Sequence, residues 1–462
     1  MRVENDLGRD SVGRLVWRIA LPSMLAQFVS VLYSIIDRIY VGNIPEVGDV
    51  ALAGVGVCGP IVTMVGSAAF LIGVGGAPML SIRMGEGRIK EAERILSNCF
   101  LMLCVAAVVL TAVVIPLRRP MLYLFGASGV TYPYAEAYFT VYVSGTVFAL
   151  LAVGMNQFVI CQGFAKVGMK SVVLGAVLNI VLDPVFIFGF RMGVRGAALA
   201  TVISQAASAV YVLRFLWGSR TSVHITFGGY QLRLMGKVLI MGFTPFLIIA
   251  LDNVMIIVMN AVLQKYGGPS RGDALITCNT IVQSFMLVLT MPLGGISSGT
   301  QGILSYNYGA RRADRVLGAQ KQIAALCAGF TAIMFILAWT AGPLFVSLFT
   351  KSPELIRQSG RAIRICTLAA VPLGIQYAIV DGFTAMGQVQ LALPLSFWRK
   401  TVYFVSVFAL PALFGVDQVF FAETLSDLLG PLVSVTVYFF MIRKVLRRRT
   451  GEEAEKIAEK II

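Results

Sequence analysis

Asp37, Asp183, Asp252 and Asp381 each stand inside a long apolar run. An ionised side chain at the centre of a membrane costs on the order of 3 kcal/mol on insertion scales, so a carboxylate kept there faces a cavity or a partner, and can hold a cation or carry a proton. Asp183 follows Asn179 by one helical turn, so amide and carboxylate share a face. Thr201, early in the next apolar run, adds a hydroxyl. Together with Asp37 these oxygens suit a hard monovalent cation, or one carboxylate holds a proton. The plainer alternative is that Asn179 and Asp183 satisfy each other and the backbone freed by Pro184.

The second half offers different chemistry. If Asp252 and Asp381 both turn inward they form a second acidic patch for a cationic substrate or ion, whereas Asp381 could instead cap the turn between Gly382 and Gly387. Arg399 and Lys400 share one apolar run, as an internal ion pair, a site for an anionic group, or a pair snorkelling to water beside Trp398. Glu423 and Asp427 share a helical face but have no evident third partner. Arg38 projects roughly 100° from Asp37 on a helix and is free to reach water.

The elements that must position these residues are membrane helices. Of 462 residues, 57% are hydrophobic and 13% charged, and the mean hydropathy is +0.82; no single soluble core hides that much apolar surface. A spanning helix needs roughly 20 apolar residues. Twelve such stretches are expected, near 14–41, 50–79, 95–117, 135–160, 171–190, 194–217, 235–264, 273–304, 321–347, 362–382, 389–414 and 417–442. The polar amino terminus lacks the apolar core of a cleavable signal, so the first helix is expected to remain as an anchor.

The net charge of +15 is concentrated in loops expected on the cytoplasmic side, which puts both termini inside. No basic face stands apart from a helix end, so nucleic acid is excluded as a partner. Seven cysteines are scattered singly, without metal-ligand spacing, and read as small packing residues. No HExxH or paired acidic metal motif points to an enzyme, and no cofactor is expected. The only histidine, His224, lies in a loop, so carboxylates must carry any proton through the membrane.

The chain is written twice. Pro22 and Asp37 recur as Pro245 and Asn260, and Gly48-Asp49, Gly75, Ser81 and Gly85 recur at a constant offset of 224 as Gly272-Asp273, Gly299, Ser305 and Gly309. Gln162-Gly163-Phe164 and Gly168 are matched to Asp381-Gly382-Phe383 and Gly387. The second copy thus carries an amide, Asn260, where the first carries an acid. Two same-orientation halves of six helices follow, related by an axis along the membrane normal: residues 1–217 and 235–442, a cytoplasmic linker at 218–234 and a basic tail at 443–462 that ends in a short amphipathic helix. Pro22 and Pro245 are candidate kinks in the first helix of each half, where protonation could bend a long helix.

Pro22-Ser23-Met24, the run Tyr33 to Gly42, Asn179 to Pro184 and Ser305 to Ala310 resemble the multidrug and toxic compound extrusion family, over essentially the whole chain and closest to its DinF-like prokaryotic branch. The resemblance implies an all-α polytopic protein with twelve transmembrane helices in two pseudo-symmetric bundles around a V-shaped cavity. It implies a monomeric antiporter in a prokaryotic inner membrane, in contact with membrane lipids, exporting cationic amphiphilic small molecules in exchange for protons or sodium by alternating access. It assigns Asp37, Asn179, Asp183 and Thr201 to a cation site in the amino-terminal lobe, places Tyr33 and Tyr138 near it, and gives Pro22 a role in helix bending. Asp252 and Asp381 resemble acidic positions of the NorM-like branch's carboxy-lobe site. The rival expectation is a lipid-linked precursor flippase of the same superfamily, for which Arg38, Arg399 and Lys400 would supply the cationic cavity.

Overall fold

The computed structural model describes residues 5–219 and 221–450, and these form helices and short connections. The amphipathic helix expected beyond Thr450 lies outside the described residues. Helices α1 (Val12–Gly42), α2 (Gly48–Gly85), α3 (Ile89–Val114), α7 (Ala165–Pro184) and α8 (Val194–Trp217) are each long enough to cross a bilayer. Between α3 and α7 lie a short helix α4 (Arg118–Leu124) and the pair α5 (Tyr132–Ser144) and α6 (Thr146–Cys161), bent by 55° and together making one span.

The stretch α9 (Leu232–Gly299) is two helices that meet at Gly268, where φ is 65° and the backbone is not helical, so it supplies two spans, the second prolonged by α10 (Gln301–Gly309). Then follow α11 (Ala313–Ser347), the pair α12 (Pro353–Cys366) and α13 (Ala370–Ala385) bent by 47°, α14 (Val389–Phe414) and α15 (Phe421–Thr450). Helix α14 carries Arg399 and Lys400 in its middle, which hides it from a hydropathy test, but its 26 residues are ample for a span. Among the described residues the total is twelve. Most helices run past the apolar stretches expected from sequence, because hydropathy marks only the part inside hydrocarbon. Beyond it, ion pairs such as Arg83–Glu86 (2.6 Å) and Arg83–Glu91 (3.2 Å) hold the polar helix ends.

The repeat is visible in the backbone, with one change of register. Ser81 Oγ donates to the Cys161 carbonyl and Ser305 Oγ to that of Ala385, both at 2.8 Å. After these carbonyls the chain turns at Gly163 (φ 94°) and Gly387 (φ 73°), conformations open to glycine because it lacks a Cβ. Gly163 therefore corresponds to Gly387, and the offset of 224 continues through α6 and α13. The sequence match of Gly163 to Gly382 is a chance repetition of Gly-Phe, five residues out of register.

The chain forms two compact units, and they divide elsewhere than at the expected linker. Among the described residues, one holds 5–9 and Leu21–Phe246; the other holds Asp10–Ala20 and 247–450. Hydrogen bonds explain why the linker goes with the first. The amides of Val223, Thr226 and Gln231 donate to Gln162 (3.3 Å), Ser97 (2.9 Å) and Asn98 (2.9 Å), pinning 223–231 onto α3 and the end of α6. The start of α9 then lies on α2 so closely that a Cβ on Gly242 would overlap the Leu71 carbonyl, and one on Gly75 the Val238 carbonyl. Both unit boundaries fall beside the repeated prolines, Pro22 and Pro245. At each, the missing N–H leaves a carbonyl one turn earlier without its helical donor.

Candidate cation site and charged cluster

In the first unit, four helices each contribute a pair of polar residues one turn apart: Tyr33 and Asp37 on α1, Tyr138 and Tyr142 on α5, Asn179 and Asp183 on α7, and Thr201 and Gln205 on α8. Spacing of four places both members of each pair on one face, and packing of α7 on α8 and of α5 on α8 turns the faces together. Asn179 Nδ2 donates to Asp183 Oδ1 (3.2 Å) and to Thr201 Oγ1 (3.3 Å), while the Thr201 hydroxyl donates to the Ala197 carbonyl (3.0 Å). The Asp37 and Asp183 carboxyl groups come within hydrogen-bonding reach of each other. Tyr33 and Tyr138 stand beside them. The Tyr138 and Tyr142 rings stack at 6.0 Å, and Gln205 Nε2 donates to the Tyr142 hydroxyl (3.4 Å).

Asn179 and Asp183 do bond each other, as the plainer alternative held, but they do not exhaust one another. Both amide protons of Asn179 are spent, and Asp37 Oδ1, Asn179 Oδ1 and Asp183 Oδ2 remain buried with no hydrogen-bond partner. Each such oxygen costs about 1–3 kcal/mol unless something fills it. A monovalent cation among these oxygens, or a proton between the carboxyl groups, supplies the missing partner and removes the repulsion between two buried acids. Asp183 is fully buried. It immediately precedes Pro184, after which α7 widens into a π-helical turn, Val185–Gly189, a distortion that recurs at functional sites. Arg38 is exposed and no ion pair with Asp37 forms among the described residues.

In the second unit, α9, α13, α14 and α15 bring together a mixed cluster rather than an acidic patch. Lys400 Nζ donates to Asp252 Oδ1, and Arg399 Nη1 donates to Asp427 Oδ1 at 2.8 Å. Arg399 and Lys400 therefore form internal ion pairs and do not snorkel: their side chains are 13% and 9% exposed. Asp381 does not cap a turn. Its carboxylate accepts from Ser297 Oγ (2.5 Å), four residues before the helix ends at Ala385, with Gln301 nearby. A cavity of about 90 Å³ is lined by Gln376, Tyr377, Asp381, Ser396, Arg399 and Lys400, among others. Asn260 is apart from this cluster and accepts from Asn279 (3.1 Å). Asp427, which lacked a partner in the sequence, has one in Arg399, and Glu423 lies one turn away on the same helix. Tyr142 and Gln205 were also missed, although spacing of four from Tyr138 and Thr201 pointed to them.

The MatE family profile matches residues 22–185 and 247–408, one repeat in each half. The chain belongs to the MatE family. It is thus a multi-pass membrane protein of a transporter family and not an enzyme. Among curated relatives, the "Multidrug export protein MepA" of Staphylococcus haemolyticus is 23% identical over 451 residues, 97% of each chain. That of Staphylococcus saprophyticus is 23% identical over 438 residues, covering 94% of this chain and 95% of its own. Among solved structures, an outward-facing multidrug resistance MATE transporter of the MOP superfamily superposes with a TM-score of 0.87 at 21% identity, covering 95% of this chain and 98% of its own. The MATE in its straight conformation gives 0.88. At these identities the superpositions establish the fold.

Proposed function

We propose that this chain is a secondary antiporter that exports cationic amphiphilic small molecules in exchange for protons or sodium, with the coupling site at Asp37, Asn179, Asp183 and Thr201. The observation that carries the reading is the approach of two carboxyl groups with three unpartnered buried oxygens around them. Such a pair changes its charge when a cation binds or leaves, and that change is the differential interaction that any shift between two access states requires. Asp37 lies on α1, the helix that passes between the compact units beside Pro22, so cation binding can be communicated along it. The curated relatives carry the name of multidrug exporters, and this supports the substrate class. The inner membrane of a prokaryote, cytoplasmic termini and a monomer in contact with lipid complete the proposal.

The flippase alternative needs free positive charge for a pyrophosphate. Arg399 and Lys400 are each held by an acid, which leaves Arg38 alone, so the antiporter is preferred. The test is transport of ethidium into everted vesicles under proton and sodium gradients imposed separately. Ethidium accumulation driven by one gradient and abolished by Asp37→Asn supports the proposal, and equal accumulation without any cation gradient defeats it.

A further inference from the structure

The two units treat their buried acids in opposite ways. In the first, Asp37 and Asp183 face each other with no basic residue paired to either among the described residues. In the second, at an offset of 224, the counterparts of Asn179 and Asp183 are Tyr403 and Val407, and at an offset of 223 the counterpart of Asp37 is Asn260. Every charged position of the first site has been replaced. Instead, Arg399 and Lys400 stand where the first copy has Gly175 and Ala176, and the acids around them come from other helices.

Those acids are not shared equally. Asp427, fully buried on α15, is taken by Arg399, with Glu423 one turn away on the same helix. Asp381 on α13 is held by the Ser297 hydroxyl. Asp252 on α9 is the acid that receives the Lys400 ammonium, and its side chain is 46% exposed on its other side. Tyr377 and Tyr403 complete the surroundings. Lys400 itself is 8% exposed, and among the described residues its ammonium, which has three N–H groups, donates to Asp252. The adjoining cavity of about 90 Å³ holds roughly three waters. That is space for a small cation or an ammonium head, and too little for a whole amphiphile.

We propose that Lys400 is a built-in counter-cation of the second unit, occupying beside Asp252 the place that a cation from solution would otherwise take, and so confining ion coupling to Asp37 and Asp183. This rests on the antiporter reading for its consequence, but the role of the lysine is tested independently of it. Removing the lysine alone leaves Asp252 without its cation and reachable, from its exposed side, by one from solution. Removing both charges leaves nothing to neutralise.

The experiment uses the full chain reconstituted in liposomes, with ethidium as transported dye and methylammonium chloride as the added probe. Lys400→Ala is expected to lower transport at least about tenfold, since it replaces a neutral pair by a bare negative charge at Asp252 beside the cavity. Millimolar methylammonium, small enough for the vacated space and able to donate hydrogen bonds, restores it. Tetramethylammonium, which has no N–H, does not. Asp252→Asn/Lys400→Ala transports near the wild-type rate, ignores methylammonium and keeps the wild-type number of coupling cations per dye. A salt bridge with only a structural role would show no rescue by a soluble amine, so failure of rescue in folded Lys400→Ala overturns the proposal. If that variant does not fold, the double variant decides: inactivity, or an altered number of coupling cations, means that Asp252 takes part in coupling and Lys400 is not its substitute. Loss of coupling in Asp37→Asn is measured in the same liposomes, so failure of the antiporter reading is seen separately.

Discussion

Asp183→Asn isolates the charge of the candidate site while preserving its shape. Asn179 Nδ2 still finds a side-chain oxygen at the position it now reaches at 3.2 Å, and the Thr201 contact at 3.3 Å is untouched. Folded stability should therefore change by no more than about 1 kcal/mol. What disappears is one of two facing carboxyl groups, and with it the repulsion that a proton or cation relieves. One charge moved across 100 mV is worth about 2.3 kcal/mol, or roughly 50-fold in the concentration ratio that an exporter can sustain. The assay is ethidium accumulation in everted vesicles at several clamped potentials. The wild type should show a slope larger by one charge per cycle than the variant, and the variant's limiting ratio should fall by about 50-fold per 100 mV. If Asp183→Asn and Asp37→Asn both reach the wild-type ratio with the wild-type slope, these carboxyl groups do not couple transport and the reasoning fails.

Thr201→Val removes a neutral oxygen that matters to a metal cation and not to a proton; it should weaken apparent sodium affinity about tenfold while leaving proton-driven transport within roughly twofold, as read in separate gradients. Gly242→Ala places a methyl against the Leu71 carbonyl and should force α9 from α2, costing about 1–3 kcal/mol and lowering the melting temperature of the purified protein. Asp427→Ala strands the Arg399 guanidinium, 13% exposed, and should cost about 3–5 kcal/mol, seen as a lower folded yield on size-exclusion chromatography, whereas Arg399→Met/Asp427→Leu should recover most of it.

Much of the fold was legible without coordinates. Twelve apolar runs gave twelve spans, because a bilayer accepts backbone only when its hydrogen bonds are closed within each helix. The duplicated Gly and Ser positions gave two equivalent halves, and the shared Ser81 and Ser305 bonds bear that out. The boundary between compact units was less legible. Composition marks the polar linker, but the unit follows contact, and Gly242 against Leu71 draws the start of α9 into the first unit. The short Gly-Phe match at 163 and 382 misled for a related reason: two-residue identities recur by chance, whereas a left-handed glycine after a serine-bonded carbonyl is a structural equivalence.

For the candidate site, the sequence by itself determined which residues are costly enough to demand an explanation. A carboxylate in an apolar run is visible from hydropathy, and a partner four residues away is visible from helical geometry, which brought forward Asp37, Asp183 and Asn179; Thr201 came from its place early in the next apolar run and from the family resemblance. What only the tertiary structure decided is which charges meet across helices. Asp37 and Asp183 stand 146 positions apart in the chain, and Lys400 and Asp252 are 148 apart. At such separations hydropathy carries no pairing information, because packing rotations set the facing sides. That choice left two acids together in the first unit and gave Arg399 and Lys400 an acid each in the second.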